Sequence, residues 1–83
     1  MNVLYFAWVR AKIGTGREAV DPPASVVTVA DLARWLSQQS PGHAEAFADL
    51  ACVRAAINQE FVDPATPIPA GAEIAFFPPV TGG

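Results

Sequence analysis

One stretch of this chain, from Thr28 to a break at Ser40-Pro41-Gly42, reads as a well-capped amphipathic helix, and short apolar runs lie on both sides of it. That arrangement leaves few folds open. Thr28 followed three residues later by Asp31 is a capping-box start, and Val29, Leu32, Ala33 and Leu36 recur at helical spacing. Ahead of the helix, residues 3–9 form a continuous apolar run rich in β-branched and aromatic residues, read as a strand. Residues 10–17, with Gly14-Thr15-Gly16, read as a loop, residues 18–20 as an antiparallel return strand, and Pro22-Pro23 as its stop. Behind the helix, Ser40-Pro41-Gly42 reads as a break, and Ala44, Phe47, Ala48 and Ala51 as a second, shorter helix. Residues 52–57 then read as a strand, Asn58-Gln59 as a tight turn and residues 60–62 as a short return strand. A turn-rich connector over residues 63–71 leads to a last strand, residues 73–77. The expected architecture is an α+β roll: a mixed β-sheet with one main helix packed on one face.

A sheet covered on one side should alternate apolar and polar residues, and the first strand does not. Val3, Tyr5, Ala7 and Val9 point one way and Leu4, Phe6 and Trp8 the other, and both sets are apolar. The last strand behaves likewise, with Ile74 and Phe76 facing inward and Ala75 and Phe77 outward. Leu4, Phe6, Trp8, Phe61 and Phe77 are therefore expected to form an uncovered patch that meets a partner. Composition agrees: 52% of the 83 residues are apolar and 16% charged, which excludes disorder and leaves apolar surface to expose. A net charge of −3 argues against nucleic acid. The opening Met1-Asn2-Val3-Leu4-Tyr5 lacks a basic leader, no apolar stretch would cross a bilayer, and a single cysteine builds no disulfide framework. A cytoplasmic protein that binds no membrane is expected.

The chain runs out through Pro78, Pro79, Val80, Thr81, Gly82 and Gly83. Both prolines fix φ and push the preceding residue toward extended geometry, so the tail, residues 78–83, reaches about 20 Å from a domain spanning residues 1–77. A stiff start, a slim glycine end and a carboxylate on Gly83 suit insertion into another protein's active site.

Conventional catalytic groupings are missing. Cys52 reads as an inert small hydrophobe and His43 as a solvated helix-start residue, with no neighbour completing a triad or metal site. Gly14-Thr15-Gly16 fails the dinucleotide fingerprint because position 19 is alanine. The carboxylates are scattered over caps and turns. Two groups stand out: the carboxylate of Gly83, and Arg10 with Lys12, a basic pair suited to an acidic or phosphate-bearing partner.

These residues resemble a known family, the small sulfur-carrying subunits of molybdopterin synthase (MoaD-type ubiquitin-like proteins). Val3 to Arg10 followed by Gly14 is similar to that family's first strand and loop. Thr28-Val29-Ala30-Asp31-Leu32 is similar to its helix start, and Ala56-Ile57-Asn58-Gln59 to its turn. Phe76-Phe77-Pro78-Pro79-Val80-Thr81-Gly82-Gly83 is the most specific match. The resemblance implies a ubiquitin-like β-grasp domain and a carrier that is no enzyme on its own. It implies that a ubiquitin-activating-like adenylyltransferase uses ATP to adenylate Gly83, that a sulfurtransferase converts the adenylate to a thiocarboxylate, and that no cofactor is bound. The tail then enters the large catalytic subunit, in a heterotetramer, and its sulfur attacks a cyclic pyranopterin phosphate to build the molybdopterin dithiolene. Alternatives are a β-grasp carrier for thiamine synthesis or tRNA thiolation, and a ubiquitin-like modifier conjugated to proteins.

Overall fold

The computed structural model of the chain describes residues 1–79. Five strands, β1 (Asn2–Tyr5), β2 (Arg17–Ala19), β3 (Arg54–Ile57), β4 (Glu60–Val62) and β5 (Glu73–Phe77), form one sheet in the order β2-β1-β5-β3-β4. β5 lies in the centre, parallel to β1 and antiparallel to β3, while β1–β2 and β3–β4 are antiparallel pairs. The sheet is mixed, as expected. Helices α1 (Ala7–Ile13), α2 (Val29–Leu36) and α3 (Pro41–Ala46) join it. The core of Val3, Tyr5, Val9, Leu32, Leu36, Phe47, Ile74 and Phe76 is closed between the helices and one face of the sheet.

The first apolar run is not one strand. β1 ends at Tyr5; Phe6 is still extended, and Ala7 swings to a φ of 53°, turning the chain into α1. A run of this length suits strand and helix equally, and tertiary packing decides. Helical geometry sets Val9 and Ile13 one turn apart, both against the core. Gly14 closes α1 with a left-handed φ of 96°, its N–H donating to the Arg10 carbonyl at 2.8 Å. The loop expected over residues 10–17 is therefore helical up to Ile13.

α2 forms as expected. The Thr28 hydroxyl accepts from the Asp31 amide and the Asp31 carboxylate from the Thr28 amide, each at 3.1 Å. The connector supplies more: the Thr66 and Pro64 carbonyls accept from the amides of Val29 and Ala30 at 3.1 and 2.9 Å. Two of the four orphan donors at the helix start are thereby satisfied. α3 begins at Ser40-Pro41-Gly42, the triplet read as a stop, and ends at Ala46 rather than extending to Ala51. Ser40 is its cap and Pro41 occupies the first turn, where a missing N–H costs nothing. Gly42 lies so close to α1 that a Cβ there would overlap the Lys12 carbonyl oxygen. Leu50–Cys52 is a single 3-10 turn capped by Asp49, so β3 starts at Arg54 and Cys52 is exposed, outside the strand expected to bury it. Asn58 and Gln59, at φ 48° and 71°, make the tight turn into β4. The Asn58 side-chain oxygen accepts from the Glu73 amide at 3.0 Å, tying that hairpin to β5.

Candidate functional site

Strand register places the outer face of the sheet residue by residue, because directly paired residues share a face. Leu4 pairs with both Arg17 and Ala75, Ala75 with Ala56, and Ala56 with Phe61. One row across the face is therefore Arg17, Leu4, Ala75, Ala56, Phe61. The next row toward the end of β5 joins Phe77 to Arg54, and Phe6 borders it through its amide, which donates to the Phe76 carbonyl at 3.1 Å. Leu4, Phe6, Ala56, Ala75, Phe61 and Phe77 line a shallow open groove of about 420 Å³. Phe61 is 78% exposed and Phe6 48%, a large apolar area for so small a protein. The rings of Phe61 and Phe77 lean together, with centroids 5.3 Å apart. A separate void of about 40 Å³ between α2 and β3, lined by Ala33, Val53 and Phe76 among others, is a packing gap in the core.

The expected patch is thus assembled from Leu4, Phe6, Phe61 and Phe77, and Trp8 is a correction. It lies on α1, half-buried against the core and away from the groove, because the strand that would have carried it outward ends three residues earlier. Ala75, read as outward-facing, forms the groove floor with Ala56, which was missed although its register opposite Ala75 and Phe61 supplies the signal. Arg10 and Lys12 lie on α1, not in a loop. Lys12 is paired with Glu45 at 3.3 Å, whereas Arg10 has no carboxylate within 4.0 Å among the described residues, its guanidinium lying over Gly16. Pro78 is half-buried and Pro79 exposed, directly after β5. Val80, Thr81, Gly82 and Gly83 lie outside the described residues.

The inner face holds a polar cluster that sequence reasoning missed. Glu18, on β2, points inward, and one of its carboxylate oxygens accepts from the Tyr5 hydroxyl and from His43 Nε2, both at 2.6 Å. His43 Nδ1 lies 2.6 Å from the Ser40 hydroxyl, which itself accepts from the His43 amide. That pattern fits the tautomer with the proton on Nε2. His43 is 8% exposed, not solvated as expected, because the first turn of α3 packs against β2 and the Tyr5 ring. The helix-start position was legible; its burial was not, since Glu18 lies 25 residues away. Burial pushes Glu18 up, but the hydrogen bonds from Tyr5 and His43 outweigh it and hold the carboxyl below its usual range. Burial, then the Glu18 hydrogen bond and charge, push the Tyr5 phenol well up. The cluster joins β1, β2 and α3 and faces the core. Cys52 donates its thiol proton to Asp49 at 3.3 Å, and that bond, then the Asp49 charge, raise the thiol pKa, which disfavours a nucleophilic thiolate. Among the described residues no cluster of His, Cys, Asp or Glu could hold a metal, and no helix is long and apolar enough to cross a membrane.

A mixed sheet in this order, closed by helices on one face and open on the other, defines a ubiquitin-like β-grasp protein; the SAMP1 crystal structure from Haloferax volcanii matches it with a TM-score of 0.72 at 26% identity, covering 100% of this chain and 98% of that one. The ThiS family profile matches residues 3–83, and the chain belongs to that family. A molybdopterin synthase sulfur carrier subunit from Escherichia coli (strain K12) is 42% identical over 83 residues, spanning 100% of this chain and 99% of that protein. The subunit of the same name from Haemophilus influenzae is 36% identical over the same span.

Proposed function

We propose that this chain is the sulfur-carrier subunit of molybdopterin synthase and that Gly83 carries the sulfur. One observation supports it above the rest: the central strand β5 runs out of the core directly into Pro78-Pro79, beside an open aromatic groove. A tail leaving the middle of a sheet is anchored by neighbours on both sides, so its base is held while its end is offered to a partner. The match to two sulfur carrier subunits, from one end of the chain to the other, supports the same reading.

The chemistry follows from the carboxylate. Anionic and resonance-stabilised, it is a poor electrophile. An adenylyltransferase would join the Gly83 carboxylate to the α-phosphate of ATP and release pyrophosphate, leaving a mixed anhydride. Sulfide delivered by a sulfur donor then attacks the carbonyl carbon and AMP departs, which leaves a thiocarboxylate. Its sulfur is a soft nucleophile, ionised at neutral pH. Docking of the aromatic groove on the large catalytic subunit would bring that sulfur to a cyclic pyranopterin phosphate, so positioning makes the main contribution of this chain. The carrier binds no cofactor and is recharged after each delivery; two deliveries complete the dithiolene.

Intact-mass spectrometry after incubation with adenylyltransferase, ATP and sulfur donor tests the proposal. The expected result is replacement of one oxygen at Gly83 by sulfur, with dithiolene formation once the large subunit and precursor are added. Deleting Gly83 should abolish both while leaving thermal unfolding nearly unchanged. Full activity without Gly83 would overturn the carrier reading, and lysine-linked Gly-Gly remnants without sulfur transfer would replace it with a protein modifier.

A further inference from the structure

The groove is apolar along its floor but not at its sides. Five cationic side chains are present in the whole chain. Two are paired locally: Lys12 with Glu45 at 3.3 Å and Arg34 with Asp31 at 3.6 Å. Arg10, Arg17 and Arg54 have no carboxylate within 4.0 Å among the described residues. Strand register puts Arg17 and Arg54 on the same open face as the aromatic rings. Arg17 is paired with Leu4 on the β2 side, and Arg54 is paired with Phe77 on the β3 side. Both are exposed, and Arg54 also lines a small concavity with Phe61 and Phe77. Its guanidinium makes only a long, 3.4 Å bond to the Ala51 carbonyl.

The acidic residues are distributed differently. The net charge is −3, yet Glu18, next to Arg17 in sequence, is turned inward to Tyr5 and His43. Glu73 borders the groove only at the end away from the tail, beside Asn2. Among the described residues, an acidic protein thus presents two arginines without a carboxylate partner on the open face of its sheet. β1 and β5 separate the strands that carry them, so at about 4.8 Å per strand their backbones lie about 14 Å apart across the sheet and are offset by one row along it.

We infer that Arg17 and Arg54 are specificity-determining residues of the docking face. They select a partner surface whose apolar centre, fitted to Leu4, Phe61 and Phe77, is bordered on opposite sides by two carboxylates. This rests on the proposed function, which makes the large catalytic subunit the occupant. Charges at the rim of an apolar contact act mainly on the rate of encounter and on the rejection of wrong partners. Arginine suits the role because its planar fork accepts bidentate carboxylate pairing.

The test uses full-length protein and the large subunit encoded by the same genome, with association followed by surface plasmon resonance over a range of salt. Arg17→Glu and Arg54→Glu should each slow association about fivefold at low ionic strength. The double variant should slow it more, and the differences should shrink as salt screens them. Arg34→Glu, with the same change in net charge on the helix-covered side, should leave the rate unchanged, and circular dichroism should show all variants folded. Phe77→Ala separates the two levels of the argument. If it weakens binding while both arginine reversals leave rate and salt dependence untouched, the charge selection is wrong and the function stands. Equal slowing by Arg34→Glu would reduce the effect to net charge and overturn the inference. If wild-type protein does not bind the large subunit, the functional reading falls and the inference with it.

Discussion

The two faces of the sheet are built from the same strands and have opposite fates. On the inner face, Val3, Tyr5, Ile74 and Phe76 are at most 1% exposed, and the polar groups there are hydrogen-bonded to one another. On the outer face, Phe61 is 78% exposed, and no helix or loop among the described residues covers Leu4, Ala75 or Phe77. Phe76 and Phe77 are neighbours in sequence and identical in chemistry, yet one closes the core and the other borders the groove. The alternation of a strand assigns adjacent residues to the closed core and to the open face, so hydrophobicity alone does not reveal on which side a residue lies.

The sharpest way to break that comparison is the pair Phe76→Ala and Phe77→Ala. Phe76→Ala should destabilise the fold by about 3–5 kcal/mol, seen as a large drop in thermal midpoint. Phe77→Ala should change stability little and weaken binding to the large subunit by about 2 kcal/mol in calorimetry. Equal losses of stability would mean that the two faces are not distinct.

A smaller effect is expected from the inner polar cluster. Glu18→Gln removes a charged acceptor shared by Tyr5 and His43 and should cost about 1.5 kcal/mol at neutral pH. Glu18 titrates below its ordinary value in the folded state, so its contribution is present above about pH 4.5 and is lost as pH falls through the lower folded value. The difference between wild type and Glu18→Gln in urea unfolding should therefore close on the acid side. Tyr5 has the opposite sign: its raised pKa gives stability present below about pH 10 and lost above it, a loss that Tyr5→Phe should not show. A gap independent of pH would place the role of Glu18 in packing.

The smallest effect lies away from both faces. Thr28→Ala removes the cap hydroxyl that accepts from the Asp31 amide and should cost about 1 kcal/mol by thermal unfolding, with partner affinity unchanged. A measurable change in affinity would tie the helix side of the molecule to docking.

Local signals in the chain were sufficient wherever the deciding partners lie within one helical turn or one hairpin. The Thr28–Asp31 capping box, the alternation of Glu73–Phe77 and the Asn58-Gln59 turn each depend on residues at most four positions apart, and each formed as read. So did the groove, as far as Leu4, Phe6, Phe61 and Phe77 carry it, because period-2 alternation assigns them to one face once the sheet is known to be covered on one side.

Tertiary packing decided the rest. It ended the first apolar run at Tyr5 and sent Trp8 and Val9 into a helix, since a continuous apolar run suits either element and only tertiary packing chose between them. It turned Ser40-Pro41-Gly42 from a stop into a start by seating α3 on α1. It buried His43 by supplying Glu18 and Tyr5 from distant strands, and a histidine is sealed in a core when such partners satisfy its nitrogens. A hydrogen bond across 25 residues leaves no mark in local spacing; only the sheet and helix that bring its ends together make it legible.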